Sequence, residues 1–321
     1  ALAMLSKVSS VFLLGFAGLT LLPGLWRQRR HLWVGLRIAA ARWLKLVGVT
    51  CLVIILVWPA VWAAPRTTLS MVFGFITHES GPHANGTFFM GNPVPDAGLL
   101  YYPVSLAYAL TPLTLLGLLL SLVGLGLGWY RARRLGMSET VSRWQWVSWL
   151  WLYIILFITY MSLISKKQER YVLPAVVTMT LLAGWGYYQI ANIAFQITTH
   201  KSQIINRSSP VSMRESLVVQ GVLAVVLLVA QFAFAWSAAP YYSTFYNPLL
   251  GGAEKAQRLL LIGRGEGLEG AVHYVQAETE GRRPQVASWY GTTVTVLFGE
   301  QVDVKDIGHP QFCLLYTSDA A

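Results

Sequence analysis

Charged residues are scarce in this chain, and cysteine is almost absent. Of its 321 residues, 12% are charged and 55% are apolar, whereas soluble globular domains carry roughly 25% charged residues. So little polar surface excludes a soluble enzyme and indicates a membrane protein. The two cysteines, Cys51 in an apolar run and Cys313 near the end of the sequence, give neither a disulfide framework nor a metal-ligand spacing.

Acidic residues are the rarer of the two charge classes, with 14 Asp and Glu against 24 Lys and Arg. The basic residues fall mainly between long apolar runs, which argues against a nucleic-acid partner. A bilayer core of about 30 Å needs roughly 20 apolar helical residues, and six segments qualify: 1–25, 46–64, 103–130, 144–165, 171–197 and 216–238. The sequence therefore predicts an all-α polytopic membrane protein with about six transmembrane helices.

Basic residues concentrate in every second connector between these segments. The connector 26–45 holds six, 131–143 holds four and 198–215 holds three. The positive-inside rule places these three connectors in the cytoplasm and the others on the opposite side. The predicted location is a bacterial plasma membrane, with everything after about residue 239 outside. Apolar residues that interleave with the charges of 26–45 predict a helix lying in the membrane interface, with a solvated loop as the alternative.

The resulting domain organisation has three parts. Residues 1–238 form the membrane domain with an outer loop at 65–102, and residues 239–312 form an outer soluble lobe. The segment 313–321 resembles translated adaptor sequence and is expected to be non-native, while the apolar start without Met predicts further sequence upstream. Within the lobe, a helix-like stretch at 266–279 and strand-like runs at 285–291 and 293–299 predict a small α/β structure.

The lobe also contains a glycine pattern that imitates a dinucleotide fingerprint. Gly265, Gly267 and Gly270 have the G-x-G-x-x-G spacing. About 20 residues further on, however, Tyr290 stands where the fingerprint has an acidic ribose partner, and no complete βαβ unit follows in the sequence. Nucleotide binding is therefore not predicted.

Two groups of basic residues depart from the topological pattern. Lys166, Lys167 and Arg170 lie in a short outer connector, where Lys and Arg are normally rare, and they are candidates for binding the phosphate of an anionic lipid. Lys7 lies inside an apolar helix, where ionisable residues are costly. For all four, snorkelling to the lipid head groups is the alternative.

The outer loop 65–102 is long and rich in aromatics, which favours a functional role. The candidate substrate-binding residues of this loop are polar or aromatic: His78, Glu79, His83, Asp96, Phe88, Tyr101 and Tyr102. The spacing of His78, Glu79 and His83 does not place all three on one helical face, so no metal site is predicted. Anchoring in the membrane interface is an alternative role for the aromatic residues of this loop.

Four stretches together resemble the membrane glycosyltransferases that use polyprenyl-phosphate sugars and share the GT-C fold. The relatives are the dolichyl-phosphate-mannose-protein mannosyltransferase-like and aminoarabinose-transferase-like proteins. The stretches are Leu2 to Leu14, Gly86 to Leu118, Lys166 to Ala175 and Pro240 to Val275. The resemblance implies transfer of a sugar from a lipid-linked phosphate donor to an acceptor at the outer face of the membrane, with no cofactor.

The sequence departs from this family pattern in two ways. The family often has a Lys near the position of Ala109, ahead of Thr111-Pro112, and that Lys is absent. The family's catalytic Asp lies in a first outer loop, which the resemblance places upstream of residue 1, so neither Asp96 nor Glu79 is assigned as the catalytic base. The alternative function is a transporter or flippase for a lipid-linked sugar or another anion, for which the expected internal repeats are not evident.

Overall fold

The computed structural model is mostly helical and describes residues 1–6, 8–27, 31–79, 87–135, 138–205, 213–263, 265–279, 284–288, 290–299, 302–304 and 312–314. Its α-helices, numbered α1 to α14 in chain order, are Leu2–Ser6, Phe12–Leu19, Leu22–Arg27, Leu32–Val57, Pro59–Ala63, Pro65–Glu79, Tyr101–Ala109, Pro112–Leu135, Ser138–Ser162, Leu173–Ile205, Met213–Trp236, Gly252–Ala256, Leu268–Glu278 and Gly291–Leu297. The strands β1 to β5 are Thr87–Phe89, Asn92–Val94, Gln285–Ser288, Asp303–Val304 and Phe312–Leu314.

Four helical segments within the described residues are long and apolar enough to cross a membrane. They are Leu32–Val57, Pro112–Arg134, Trp144–Ser162 and Leu217–Trp236. The predicted first span is divided among short helices, and the predicted span 171–197 falls in α10, which is not one of the four. Polar residues in the middle of α10, such as Gln189 and Asn192, lower its hydropathy. The membrane character is thus supported by four spans rather than six.

The region from residue 26 to residue 79 differs most from expectation. The basic stretch and the following apolar run were predicted as separate elements, but α4 runs continuously from Leu32 to Val57. It ends before Pro59, which begins α5 because proline lacks the N–H that a helix interior requires. Pro65 begins α6 in the same way, so much of the predicted loop 65–102 is helical.

The chain forms two compact units. The first comprises residues 1–87, 93–106 and 113–221, and the second comprises residues 88–92, 107–112 and 222–321. In the first unit, aromatic side chains join α2 to α9: the Phe12 ring lies 5.2 Å from that of Phe157, and the Phe16 ring lies 5.2 Å from that of Tyr153. Such edge-to-face pairs add to the stabilisation from burial.

Helices α8 and α10 of the first unit meet through glycine. A Cβ atom on Gly186 would overlap the carbonyl oxygen of Gly117, and a Cβ on Gly117 would lie 2.7 Å from the Cβ of Ala183. One turn away, the Tyr187 hydroxyl donates a hydrogen bond to the Leu113 carbonyl oxygen at 2.8 Å. Small residues are thus required where these two backbones approach.

The second unit contains a parallel sheet in the order β4-β3-β5. Strand β3 and helix α13 confirm the expected strand at 285–291 and helix at 266–279, with shorter bounds. Strand β5 contains Cys313 and Leu314, which belong to the segment expected to be non-native. The hydrophobic core beside this sheet includes Val272 of α13 and Val286 of β3, both buried.

The strand predicted at 293–299 is wrong, because residues 291–297 form helix α14. Val294 and Phe298, four residues apart, are both buried in the core of the sheet, whereas Val296 is 72% exposed. In a strand, Val294 and Val296 would share a face. Burial of one helical face therefore overrides the strand preference of these β-branched residues.

Candidate functional site

Residues 163–172, named the outer connector after the side of the membrane predicted for them, join α9 to α10 and contain the basic residues singled out from the sequence. After α9 ends at Ser162, a bend leads into a 3₁₀-helix at Glu169–Val172, and α10 follows at once. The Tyr171 N–H donates to the Gln168 carbonyl oxygen at 3.0 Å, which closes the turn. The backbone of the outer connector is therefore folded back on itself between two helices.

Lys167 is a buried lysine with a carboxylate partner. Its side chain is fully buried, and its ammonium group pairs with the Asp96 carboxylate. The same Nζ atom donates to the Ile164 carbonyl oxygen at 3.0 Å. A buried cation is costly unless it is paired and hydrogen-bonded, and Asp96 and Ile164 meet that requirement. A lipid phosphate that reached this ammonium would have to displace Asp96.

Asp96 itself is held in a tight turn and remains 43% exposed. Its Oδ1 accepts a hydrogen bond from the Gly98 N–H at 2.9 Å, and Gly98 adopts φ +68°, a conformation that glycine allows at little cost. Partial burial raises the pKa of the Asp96 carboxyl, but the hydrogen bonds from Lys167 and Gly98 outweigh it, so the net pKa lies below its ordinary value. Asp96 is therefore an anion over the physiological pH range.

Helix α7 provides a second set of contacts to the outer connector. The Gln168 N–H donates to the Tyr102 hydroxyl at 3.4 Å, and the Ser105 hydroxyl donates to Glu169 Oε1 at 3.2 Å. Tyr102 is completely buried, and this burial raises its pKa to about 12. The Tyr101 ring packs edge-on against Tyr102 at 5.2 Å. The outer connector is thus fixed by α7 as well as by Asp96.

Lys166 and Arg170 are the more accessible cations of the outer connector. Lys166 is half-buried and Arg170 is exposed. Arg170 Nε donates to Gln168 Oε1 at 2.6 Å, and its guanidinium carbon lies 5.6 Å from the centre of the Tyr171 ring. Three cations and two carboxylates, Asp96 and Glu169, leave this region with one net positive charge. Lys166 and Arg170 lie closer to the surface than Lys167, which is buried beside Asp96.

The structure brings some of the predicted site residues together and leaves others apart or undescribed. Lys166, Lys167, Arg170, Asp96, Tyr101 and Tyr102 all belong to the first unit and to the contacts above. Phe88 belongs to the second unit. His83 and Lys7 lie outside the described residues, as do the side chains of His78 and Glu79 at the end of α6. The described part of the chain holds no cluster of three or more His, Cys, Asp or Glu side chains suited to a metal ion.

Sequence reasoning missed three residues of this site: Ser105, Gln168 and Glu169. Gln168 and Glu169 stand inside the basic motif itself, but the motif drew attention to its cations alone. The pairing of Asp96 with Lys167 could have been predicted from the sequence, since the predicted topology placed both on the same side of the membrane and their charges are opposite.

No family model, curated protein or solved structure matches this chain.

Proposed function

We propose that this chain is the body of a membrane glycosyltransferase that moves a sugar from a polyprenyl-phosphate donor to an acceptor. The proposal draws on the four stretches that resemble the GT-C glycosyltransferases and on the membrane helices of the structure. The partners it implies are the lipid bilayer and a polyprenyl-phosphate-linked sugar. It includes no cofactor.

The observation that carries the proposal is the preorganised outer connector with Lys166 and Arg170 on its surface. A cation that stabilises a leaving phosphate acts best when it is already in place, since no reorganisation is then needed during the reaction. The Asp96–Lys167 pair and the bonds to α7 supply that rigidity. In this proposal Lys167 is a positioning residue, and Lys166 and Arg170 contact the phosphate.

The reaction follows from ordinary glycosyl-transfer chemistry. An acceptor hydroxyl or amine attacks the anomeric carbon of the sugar, and the bond from that carbon to the phosphate oxygen breaks. The bonding electrons leave with the polyprenyl phosphate, whose added negative charge Lys166 and Arg170 stabilise. The proton of the acceptor passes to a general base, which is an Asp in the family that the chain resembles.

The sidedness of the membrane domain is part of the same proposal. The connectors rich in Lys and Arg are cytoplasmic, and the outer connector and the C-terminal lobe face the opposite side. Lys255 is exposed in α12 of that lobe. In a background with Cys51 and Cys313 replaced by Ser, Lys255→Cys should react with a membrane-impermeant maleimide in intact cells. Labelling only after lysis would contradict the proposed orientation.

The test of the activity uses the full-length protein in proteoliposomes with a radiolabelled polyprenyl-phosphate sugar. Transfer of label to a water-soluble or lipid acceptor, with release of polyprenyl phosphate in equal amount, is the expected result. Movement of the intact donor across the bilayer without cleavage would identify the alternative function, a transporter or flippase, and would contradict the proposal.

A further inference from the structure

The second unit contains a cavity beside the C-terminal end of α11. Its volume is about 640 Å³, which lies within the range of small-ligand sites. One wall is formed by α11 and the turn after it, including Ala230, Ala233 and Phe234. The opposite wall is formed by the segment that follows, including Phe245 and Pro248. Alanine side chains leave the space open, and the Phe234 and Phe245 rings lie edge to face at 6.1 Å.

The lining of this cavity suits an apolar occupant. The Ser237 hydroxyl donates to the Phe234 carbonyl oxygen at 2.7 Å, and the Thr244 hydroxyl donates to the Tyr241 carbonyl oxygen at 2.7 Å. Both hydroxyl protons are therefore used within the chain. These two hydroxyls therefore offer no donor to an occupant of the cavity, which is open at its surface, with Ala233 and Pro248 exposed.

The cavity lies at the end of a membrane-crossing segment. Leu217–Trp236 has a mean hydropathy of 2.4, and none of the described side chains along it is buried. Its surface therefore faces lipid, and Ala230, Ala233 and Phe234 occupy its last two turns. The cavity continues this lipid-facing surface inward. Because the cavity is open beside this surface, hydrocarbon from the bilayer can enter it and gain dispersion contacts with its apolar lining.

The walls of the cavity are held in place by buried polar contacts. Asn247, which is fully buried, donates from Nδ2 to the Ala107 carbonyl oxygen at 3.2 Å and from its backbone N–H to the Tyr108 carbonyl oxygen at 2.7 Å. On α11, Gln231 accepts a hydrogen bond from the Thr111 hydroxyl at 2.8 Å. Both walls are thus tied to the same short segment, 107–112. The cavity is preformed rather than dependent on its occupant.

We propose that this cavity binds one acyl chain of a bilayer phospholipid, which enters sideways from the membrane. Transfer from lipid into protein brings little hydrophobic gain, because the two environments are similarly apolar. Retention therefore comes from van der Waals packing against a preformed wall. The inference rests on the membrane-crossing α11 and stands whether or not the chain transfers a sugar.

The test is photolabelling of the full-length protein in liposomes with a phosphatidylethanolamine that carries a diazirine in one acyl chain. Labelled peptides are mapped and quantified by mass spectrometry. The expected result is saturable labelling within residues 230–248, reduced at least tenfold by Ala233→Trp, which fills the cavity from α11. Ala253→Trp, from the opposite wall, should have the same effect. Val226→Trp, on the exposed face two turns away, is the matched control and should leave labelling unchanged.

Three outcomes would overturn the proposal. The first is labelling of residues 230–248 that does not saturate, as for any lipid-exposed surface. The second is saturable labelling that neither cavity-filling variant reduces while the melting temperatures of both match the parent. The third is displacement of the label by equimolar polyprenyl phosphate but not by unlabelled phosphatidylethanolamine, which would assign the cavity to an isoprenoid chain instead.

Discussion

Replacing Asp96 by Asn should reveal how strongly the buried Lys167 depends on its partner. Two unit charges about 4 Å apart attract by about 4 kcal/mol at an effective dielectric constant near 20, and desolvation offsets part of this. Asp96→Asn keeps an oxygen acceptor for the Gly98 N–H but leaves a fully buried ammonium without its anion. We expect a loss of about 3 kcal/mol in the free energy of unfolding, at the lower end for broken buried pairs.

Replacing Lys167 should lower the free energy of unfolding less than Asp96→Asn does, because the remaining Asp96 carboxylate can turn to water. Lys167→Met leaves a carboxylate that is already 43% exposed, and we expect a loss of about 1 kcal/mol. The bond from Lys167 to Ile164 is lost in this variant and in the double variant alike, so it cancels in a double-mutant cycle. The expected coupling energy of the pair is about 2 kcal/mol, above the range of surface pairs.

The chain offers its own control in the pair of Arg258 with Glu254. Their side chains are 71% and 76% exposed at an N–O distance of 3.3 Å, so their coupling should be about 0.3–0.5 kcal/mol. Both cycles are measured by equilibrium unfolding in mixed micelles. A coupling for Asp96–Lys167 no larger than that of the control would refute the view that this pair fixes the outer connector.

Two further results are expected. Gly186→Ala should force α8 and α10 apart and cost about 2–3 kcal/mol in the same unfolding assay, since its Cβ would overlap the Gly117 carbonyl. Gly184→Ala in the same helix faces open space and should not destabilise the protein, because alanine favours a helix over glycine by up to about 1 kcal/mol. Equal losses in the two variants would contradict the close helix contact. The pKa of Tyr102 is about 12 in the folded state and about 10 when unfolded. The neutral Tyr102 side chain therefore contributes fully to the free energy of unfolding below pH 10, and this contribution is lost as pH rises toward 12. Tyr102→Phe should remove this loss of stability at alkaline pH. If the free energy of unfolding depended on pH in the same way in the parent and in Tyr102→Phe between pH 10 and 12, the result would argue against the burial of the Tyr102 hydroxyl.

Apolar runs in the sequence predicted much of the helical structure, because a segment that crosses a bilayer must be both long and apolar. Two of the four segments that are long and apolar enough to cross a membrane, Trp144–Ser162 and Leu217–Trp236, correspond closely to predicted spans. A third, Pro112–Arg134, begins nine residues later than the predicted span 103–130, because α7 ends at Ala109 and Pro112 begins a new helix. The fourth segment begins earlier than predicted, because α4 includes residues 32–45 of the basic stretch. Charge marks where a helix meets water, but it does not end the helix.

Tertiary packing accounts for the wrong strand prediction near the C-terminal end and for the residues missed at the site. The alternation in residues 293–296 is typical of a strand, yet burial of Val294 with Phe298 selects a helix. At the outer connector, the cations were evident in sequence, but their division into one buried and two accessible groups depends on Asp96, some 70 residues away. Such long-range pairing is not encoded in local periodicity.

The most direct measurement is the turnover of the full-length protein with Lys166 and Arg170 both changed to Gln. If these cations stabilise the departing polyprenyl phosphate, kcat/KM for the lipid-linked donor should fall about 100-fold, while Asp96 and Lys167 keep the fold intact. A matched double change on the lobe, Lys255→Gln with Arg258→Gln, removes the same charges from an exposed helix and its following turn and should leave kcat/KM unchanged. Equal turnover by the parent and both double variants would contradict the proposed role of the outer connector.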